Sequence, residues 1–152
     1  MRSNSSLANL RLAAIVLGLT IAATGAFAQA PEIAQRVDRM KAVGGAVGQI
    51  APVIRNERPW DGAAIAQQAQ TVATNLSAAK ALFPAGSDAN SRALPAIWER
   101  KADFDATMDR AVGVATNLAQ LASANNEAGF RAAFPQLGQA CGACHTPYRR
   151  PQ

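Results

Sequence analysis

The residues best suited to chemistry lie together near the C-terminus, in the stretch CGACH from Cys141 to His145. These five positions hold both cysteines and the only histidine of the 152-residue chain. Helical residues three and four positions apart share a face, so Cys141, Cys144 and His145 can meet one flat group. The pattern Cys-x-x-Cys-His is the attachment signature of a c-type haem. We therefore predict one haem c, covalently attached through two thioethers.

Each residue type in this motif has a chemical reason to be there. Two thiols can add to the two vinyl groups on one edge of a porphyrin, and one helical turn matches the separation of those groups. The imidazole directly after the second cysteine is close enough to bring a nitrogen to the iron. We therefore predict Cys141 and Cys144 as the attachment residues and His145 as an iron ligand.

Three other interpretations of the motif compete with haem attachment. A thioredoxin-like redox pair requires a βαβ context, which the sequence lacks. A structural zinc site normally has four N or S ligands, and the chain offers two cysteines and one histidine. A disulfide across so small a loop would constrain the unfolded chain little. A disulfide beside an incidental histidine nevertheless stays open.

The second axial ligand of the iron is harder to assign. Ligation by two histidines of one chain is excluded, because His145 is the only one. The available thioethers are those of Met40 and Met108, since Met1 belongs to the N-terminal segment discussed next. Methionine is commonly core filler. It is also a standard iron ligand in electron carriers, where it raises the potential. The residues alone leave the role of Met40 open.

The N-terminal segment has the features of a secretory signal. Two arginines accompany the apolar run Leu12–Thr24, and the small residues of Ala26–Ala28 suit a cleavage site. The run is shorter than the ~20 residues that span a bilayer. We predict a signal peptide at residues 1–28 and a mature domain at residues 29–152. The mature protein is then expected in the periplasm without a membrane attachment.

The charge of the chain excludes one class of partner. Without residues 1–28 the chain has 13 basic and 10 acidic residues, a formal net charge of +3. The basic residues form no run, and aromatic residues do not alternate with them, so no nucleic-acid partner is predicted. They are expected on a solvated surface, with a weak docking patch for an acidic partner as the alternative.

Apolar residues recur with heptad spacing in four segments, which predicts an all-α, antiparallel four-helix bundle. The expected core row of the first helix is Ile33, Val37, Met40, Gly44, Val47, Ala51 and Ile54. The segments are Pro31–Arg55, Asp61–Phe83, Pro95–Ser123 and Asn126–Arg149.

Turn residues separate these segments. Asp61 and either Asn125 or Asn126 are expected to cap the helices that follow them. Pro135 is expected either to kink the last segment or to begin its main part. Cys141 and Cys144 lie on the core row of that segment, so the haem is expected inside the bundle near the C-terminus.

Three stretches resemble class II cytochromes c, the cytochrome c-prime superfamily. They are CGACHTPYRR at the C-terminus, RVDRMKAVGGAV at Arg36–Val47 and LPAIWERKADFD at Leu94–Asp105. The resemblance covers residues 31–150 and implies a four-helix bundle with haem near its end. It also implies that Arg36 contacts a haem propionate, that Trp98 lies near the haem edge, and that Met40 faces the distal side.

The same resemblance gives Arg149, four residues after His145, one of two roles: it shields the histidine side of the haem, or it raises the potential through its charge. Both Arg36 and Arg149 could instead be ordinary solvated residues.

The distal position divides this family. Met40 followed by Lys41 is similar to the low-spin branch, which implies iron held by His145 and Met40. That arrangement implies a carrier of single electrons for periplasmic redox partner proteins. The alternative is a five-coordinate haem that binds nitric oxide or carbon monoxide at an open distal site. A homodimer stays open, because self-association is common in the family. No enzymatic reaction is predicted, since a distal histidine for acid–base catalysis is lacking.

Overall fold

A computed structural model describes residues 30–151, and the predicted signal peptide lies outside the described residues. This range holds six α-helices and no β-strand. The all-α class is therefore confirmed. The helices are α1 (Pro31–Ile54), α2 (Gly62–Lys80), α3 (Ala96–Glu99), α4 (Lys101–Ser123), α5 (Glu127–Ala133) and α6 (Pro135–Tyr148).

The four long helices form an antiparallel bundle, as predicted. Helix α1 packs on α2, α2 packs on α4, and α4 packs on α6. Helices α1 and α6 stand at the two ends of this series and share no comparable contact within the described residues. Arg36 contacts Phe83, Phe83 contacts Phe104, and Phe104 contacts Tyr148. The start of α1 and the end of α6 therefore lie at the same end of the bundle. We call this the haem-motif end.

Two of the predicted segments are each divided into a short and a long helix. Arg100 separates α3 from α4 because its backbone, at φ −125° and ψ 50°, is not helical. Pro135 begins α6 rather than continuing α5, since proline has no N–H to donate and is tolerated in a first turn. The prediction of one continuous segment over Pro95–Ser123 was therefore wrong, whereas the prediction that Pro135 begins the main part of the last segment is confirmed.

Both predicted caps are present. The Asp61 side chain accepts a hydrogen bond from the backbone N–H of Ala64 at 3.0 Å. The Asn126 side chain accepts one from the backbone N–H of Gly129 at 2.9 Å. Asn126, not Asn125, is thus the cap of α5. Each bond satisfies a donor that a helix N-terminus leaves unpaired.

The core rows of α2 and α4 follow the heptad prediction, but that of α1 does not. Val37 is 47% exposed and Gly44 is exposed, although both were expected in the core. The centre of the buried face is instead the row Arg36, Val43 and Ile50. Counting apolar residues misses this row because it begins with a charged residue. Arg36 can be buried there because its guanidinium finds partners in the tertiary structure, as described next.

Candidate functional site

Helix α6 holds the haem motif against the bundle. Cys141, Cys144 and His145 are each half-buried, and the two cysteines pack against the core. Leu137 and Tyr148 are buried on the same helix and anchor this face. Both thiols are free. The predicted attachment residues therefore share one face of one helix, half-covered by protein and half-open.

The core side of the motif is occupied by Met108. Its Sδ lies 3.8 Å from Sγ of Cys144, and the residue is 3% exposed. Met108 is thus a packing residue beneath the attachment face. The other methionine considered as an iron ligand, Met40, is half-buried on α1 and packs against the core.

Burial keeps the thiols of the motif protonated. It raises the pKa of Cys141, and it raises the pKa of Cys144 to about 11. The neighbouring Cys141 adds to the shift at Cys144, and the positive charge of Arg149 opposes it. At neutral pH both groups are S–H, so each can add its sulfur and hydrogen across a vinyl group.

The imidazole of His145 is kept neutral. Burial lowers its pKa, and the positive charges of Arg149 and Arg92 lower it further. A metal ligand must offer a free lone pair, and the neutral imidazole has one. The surroundings of His145 therefore suit an iron ligand.

Arg36 is a buried cation, so its interpretation as a solvated helix residue was wrong. It is 6% exposed, and its guanidinium lies 4.5 Å from the centroid of the Phe83 ring. Its Nη1 donates to Oγ of Ser87 at 3.3 Å, and its Nη2 donates to the Ser87 carbonyl oxygen at 2.5 Å. Burial lowers the pKa of Arg36, while the charges of Glu32 and Asp88 oppose the shift. A guanidinium has five N–H donors, so some are still free for a carboxylate.

An aromatic cluster joins Arg36 to the motif helix. The Phe83 ring meets Phe104 edge-on at 4.7 Å between centroids, and Phe104 meets Tyr148 at 5.2 Å. Trp98 packs on the same loop, since its Nε1 donates to the Pro84 carbonyl oxygen at 2.9 Å. Sequence reasoning missed Ser87, because a lone serine in a loop gives no signal.

Met40 and Arg36 are one turn apart and share a face of α1. The donor set thus consists of two thiols and an imidazole on α6, with a thioether and a guanidinium on α1. This set suits an iron porphyrin that carries carboxylates. Within residues 30–151, no group of three or more His, Cys, Asp or Glu side chains could hold a metal ion such as zinc.

Arg149 is exposed at the end of α6. Its backbone N–H donates to the His145 carbonyl oxygen at 3.2 Å, and the residue forms an isolated antiparallel bridge with Ala93. The structure therefore places Arg149 next to the motif, with its side chain in solvent. No helix of residues 30–151 is long and apolar enough to cross a membrane.

Comparison with known proteins agrees with this site. Residues 31–149 match the family described as Cytochrome C'. Cytochrome c-556 of Agrobacterium fabrum is 36% identical over 137 residues, covering 90% of this chain and 92% of that protein. Cytochrome c' of Rhodopseudomonas palustris is 34% identical over 143 residues, covering 92% and 96%.

A solved structure of similar fold is the nitric oxide complex of a cytochrome c prime variant from Alcaligenes xylosoxidans. Its TM-score is 0.75 at 26% identity, covering 80% of this chain and 94% of that one. The chain therefore belongs to the cytochrome c' family and is a four-helix-bundle protein with covalently attached haem c.

Proposed function

We propose that this protein carries single electrons, with its haem attached through Cys141 and Cys144 and its iron held by His145 and Met40. The observation that carries the proposal is the different placement of the two methionines. Met108 is buried in the core beneath Cys144, whereas Met40 is half-buried on α1, one turn after Arg36. His145, neutral and half-buried on α6, is the complementary ligand.

The haem, when bound, supplies an iron that changes between the ferric and ferrous states. The residues of the chain keep the structural difference between these two states small. Cys141 and Cys144 would hold the ring through two thioethers, and His145 on the same helical turn would bind the iron. Met40 would supply a second ligand, so that no water has to bind or leave. Phe104, 1% exposed, and Met108 are buried behind the motif helix. Phe104 contacts Tyr148, and Met108 contacts Cys144.

We assign Arg36 to a haem propionate. Arginine pairs with a carboxylate through two parallel N–H bonds, and Ser87 and Phe83 already fix the plane of this guanidinium. We assign Arg149 to the histidine side of the haem, where its charge favours the ferrous state. The proposed location is the periplasm, with redox proteins as partners, in keeping with the family.

The test is the spin state of the ferric protein. The optical and electron paramagnetic resonance spectra of the wild type should be low-spin, with a methionine-to-iron charge-transfer band. Met40→Ala should convert the haem to high spin and lower its potential. Met108→Leu is the matched control, and it should keep the low-spin spectrum because Met108 only packs. A high-spin wild type, or an unchanged Met40→Ala spectrum, would contradict the proposal.

The second candidate is a gas binder with an open distal side. It is favoured by the fold match to a cytochrome c prime solved with nitric oxide. Carbon monoxide added to the ferrous protein separates the two candidates. An electron carrier with bound Met40 should react slowly, limited by release of the thioether. Fast binding, equal in wild type and Met40→Ala, would support the gas binder.

A further inference from the structure

Four exposed arginines surround the end of the motif helix, and we call them the C-terminal arginine face: Arg92, Arg100, Arg149 and Arg150. Backbone pairing holds two of its chain segments side by side. The N–H of Arg150 donates to the Arg92 carbonyl oxygen at 2.8 Å, and Nη2 of Arg92 donates to the Arg150 carbonyl oxygen at 2.6 Å. The bridge between Ala93 and Arg149 lies between these contacts. The fold thus brings like charges together.

These arginines have no acidic partner among residues 30–151, where no carboxylate oxygen lies within 4.0 Å of their guanidinium groups. Five other cations of residues 30–151 do have one. Lys80 reaches Asp109 at 2.6 Å, and Arg131 reaches Glu127 at 2.7 Å. The positive charge of this face is therefore not neutralised within residues 30–151, which favours contact with an acidic surface of another molecule.

The face is adjacent to the haem motif. The backbone N–H of Arg149 bonds to the carbonyl oxygen of His145 at 3.2 Å. The guanidinium of Arg100 lies 5.4 Å from the centroid of the Tyr148 ring. A partner docked here would be close to the residue that we assign to the iron.

We propose that the C-terminal arginine face is the docking surface for the redox partner, and that this partner presents clustered Asp and Glu carboxylates. The inference rests on the proposed electron-carrier function. Guanidinium groups pair with carboxylates in a planar, two-bond geometry, which suits an acidic protein surface. Electrostatic steering raises association rates without requiring tight binding, which a transient redox encounter needs.

The first experiment measures how the field of the face affects electron transfer. The ferrous holoprotein is oxidised by ferricyanide, a trianion, in stopped flow at several ionic strengths. The rate constant should fall as salt is added. Arg92→Gln/Arg150→Gln should lower it about fivefold at low salt, because steering is lost. The control Arg55→Gln/Arg58→Gln removes the same charge from the opposite end and should change it by less than about 1.5-fold. Equal losses in the two variants would overturn the proposal.

The single variant Arg150→Gln distinguishes a loss of charge from a folding defect. The Arg150 side chain makes no hydrogen bond within the described residues, so only its charge is removed. Its haem spectrum and Tm should match those of the wild type, and its rate constant should fall between those of the wild type and the double variant. A rate constant equal to that of the wild type would count against the face.

The second experiment identifies the chemistry of the partner. Poly-L-glutamate is added to the ¹⁵N-labelled ferrous holoprotein, and amide shifts are followed by NMR. Shifts should centre on Arg92, Arg149 and Arg150 and disappear in high salt. Absent shifts, shifts centred elsewhere, or binding to phosphatidylglycerol vesicles in place of poly-L-glutamate would overturn the proposal.

The two proposals fail separately. A high-spin ferric spectrum would remove Met40 ligation and leave the salt dependence intact. A low-spin spectrum with no salt dependence would remove the docking face alone.

Discussion

The two ends of the bundle are built on different principles. At the far end, formed by the α1–α2 turn and the α4–α5 turn, the chain satisfies its own groups. Asp61 and Asn126 cap helices, and Nε1 of Trp60 donates to Asn125 at 2.8 Å. Arg131 bonds both to Glu127 and to the carbonyl oxygen of Ile54.

At the haem-motif end, by contrast, two thiols and an imidazole are half-buried. Neither the buried Arg36 nor the four surface arginines have an ion-pair partner within residues 30–151. The difference teaches that one end is completed by the chain and the other by groups that the chain does not contain. Covalently attached haem is such a group at the buried part of this end. For the exposed part we propose an acidic partner protein.

The largest effect is expected when the haem-motif end loses its two attachment cysteines. Cys141→Ala/Cys144→Ala should abolish covalent haem entirely, because no other thiol is present. Mass spectrometry and in-gel haem staining of periplasmic protein would check this. Asn126→Ala, at the far end, is the control and should retain full haem content. Covalent haem in the double cysteine variant would contradict the assignment of the motif.

A matched pair of aromatic substitutions sharpens the comparison. Phe104 is 1% exposed at the haem-motif end, and Phe130 is 0% exposed near the far end, where it packs edge-on against Trp60 at 5.3 Å. Each Phe→Ala change should lower the free energy of unfolding by about 3–5 kcal/mol. Denaturant unfolding measures both. Only Phe104→Ala should also shift the haem spectrum and potential, because only Phe104 belongs to the aromatic cluster that contacts the motif helix. Equal spectral shifts would break the comparison.

Loss of a cap should have a smaller and purely structural effect. Asn126→Ala removes the bond to the Gly129 N–H and should cost about 1 kcal/mol of stability. Asn126→Asp keeps an acceptor oxygen and should cost much less. Thermal unfolding of the two variants gives the difference, while their haem spectra should be identical. A spectral change in either variant would show that the two ends are coupled.

The smallest effect is expected for the surface ion pair of the far end. This pair consists of Arg55 and Glu57, and both side chains are largely exposed. The hydrogen bond from Arg55 lowers the pKa of Glu57. The pair therefore adds stability only above the unfolded pKa of Glu57, and that stability is lost as pH falls through the lowered folded value. Glu57→Gln should change Tm by about one degree or less at neutral pH. A larger change that persists in acid would indicate another role for Glu57.

Much of the fold could be predicted because its signals are local. The heptad rows of α2 and α4, the caps Asp61 and Asn126, and the start at Pro135 each depend on residues within a few positions of one another. Helix α1 was harder, since its central row begins with Arg36. No local rule predicts that a guanidinium will be buried, because its partners Ser87 and Phe83 come 51 and 47 positions later in the sequence.

The sequence by itself determined the chemistry, because the five residues of CGACH carry the thiols, the imidazole and their spacing. It also determined that only methionine can complete a single-chain, sulfur-ligated iron site. Only the tertiary structure separated Met108 from Met40, through the 3.8 Å contact of Met108 with Cys144. It alone assembled the C-terminal arginine face from segments 58 residues apart. The physical reason is that burial and charge fields depend on which distant segments meet, whereas covalent reactivity is carried by each residue type.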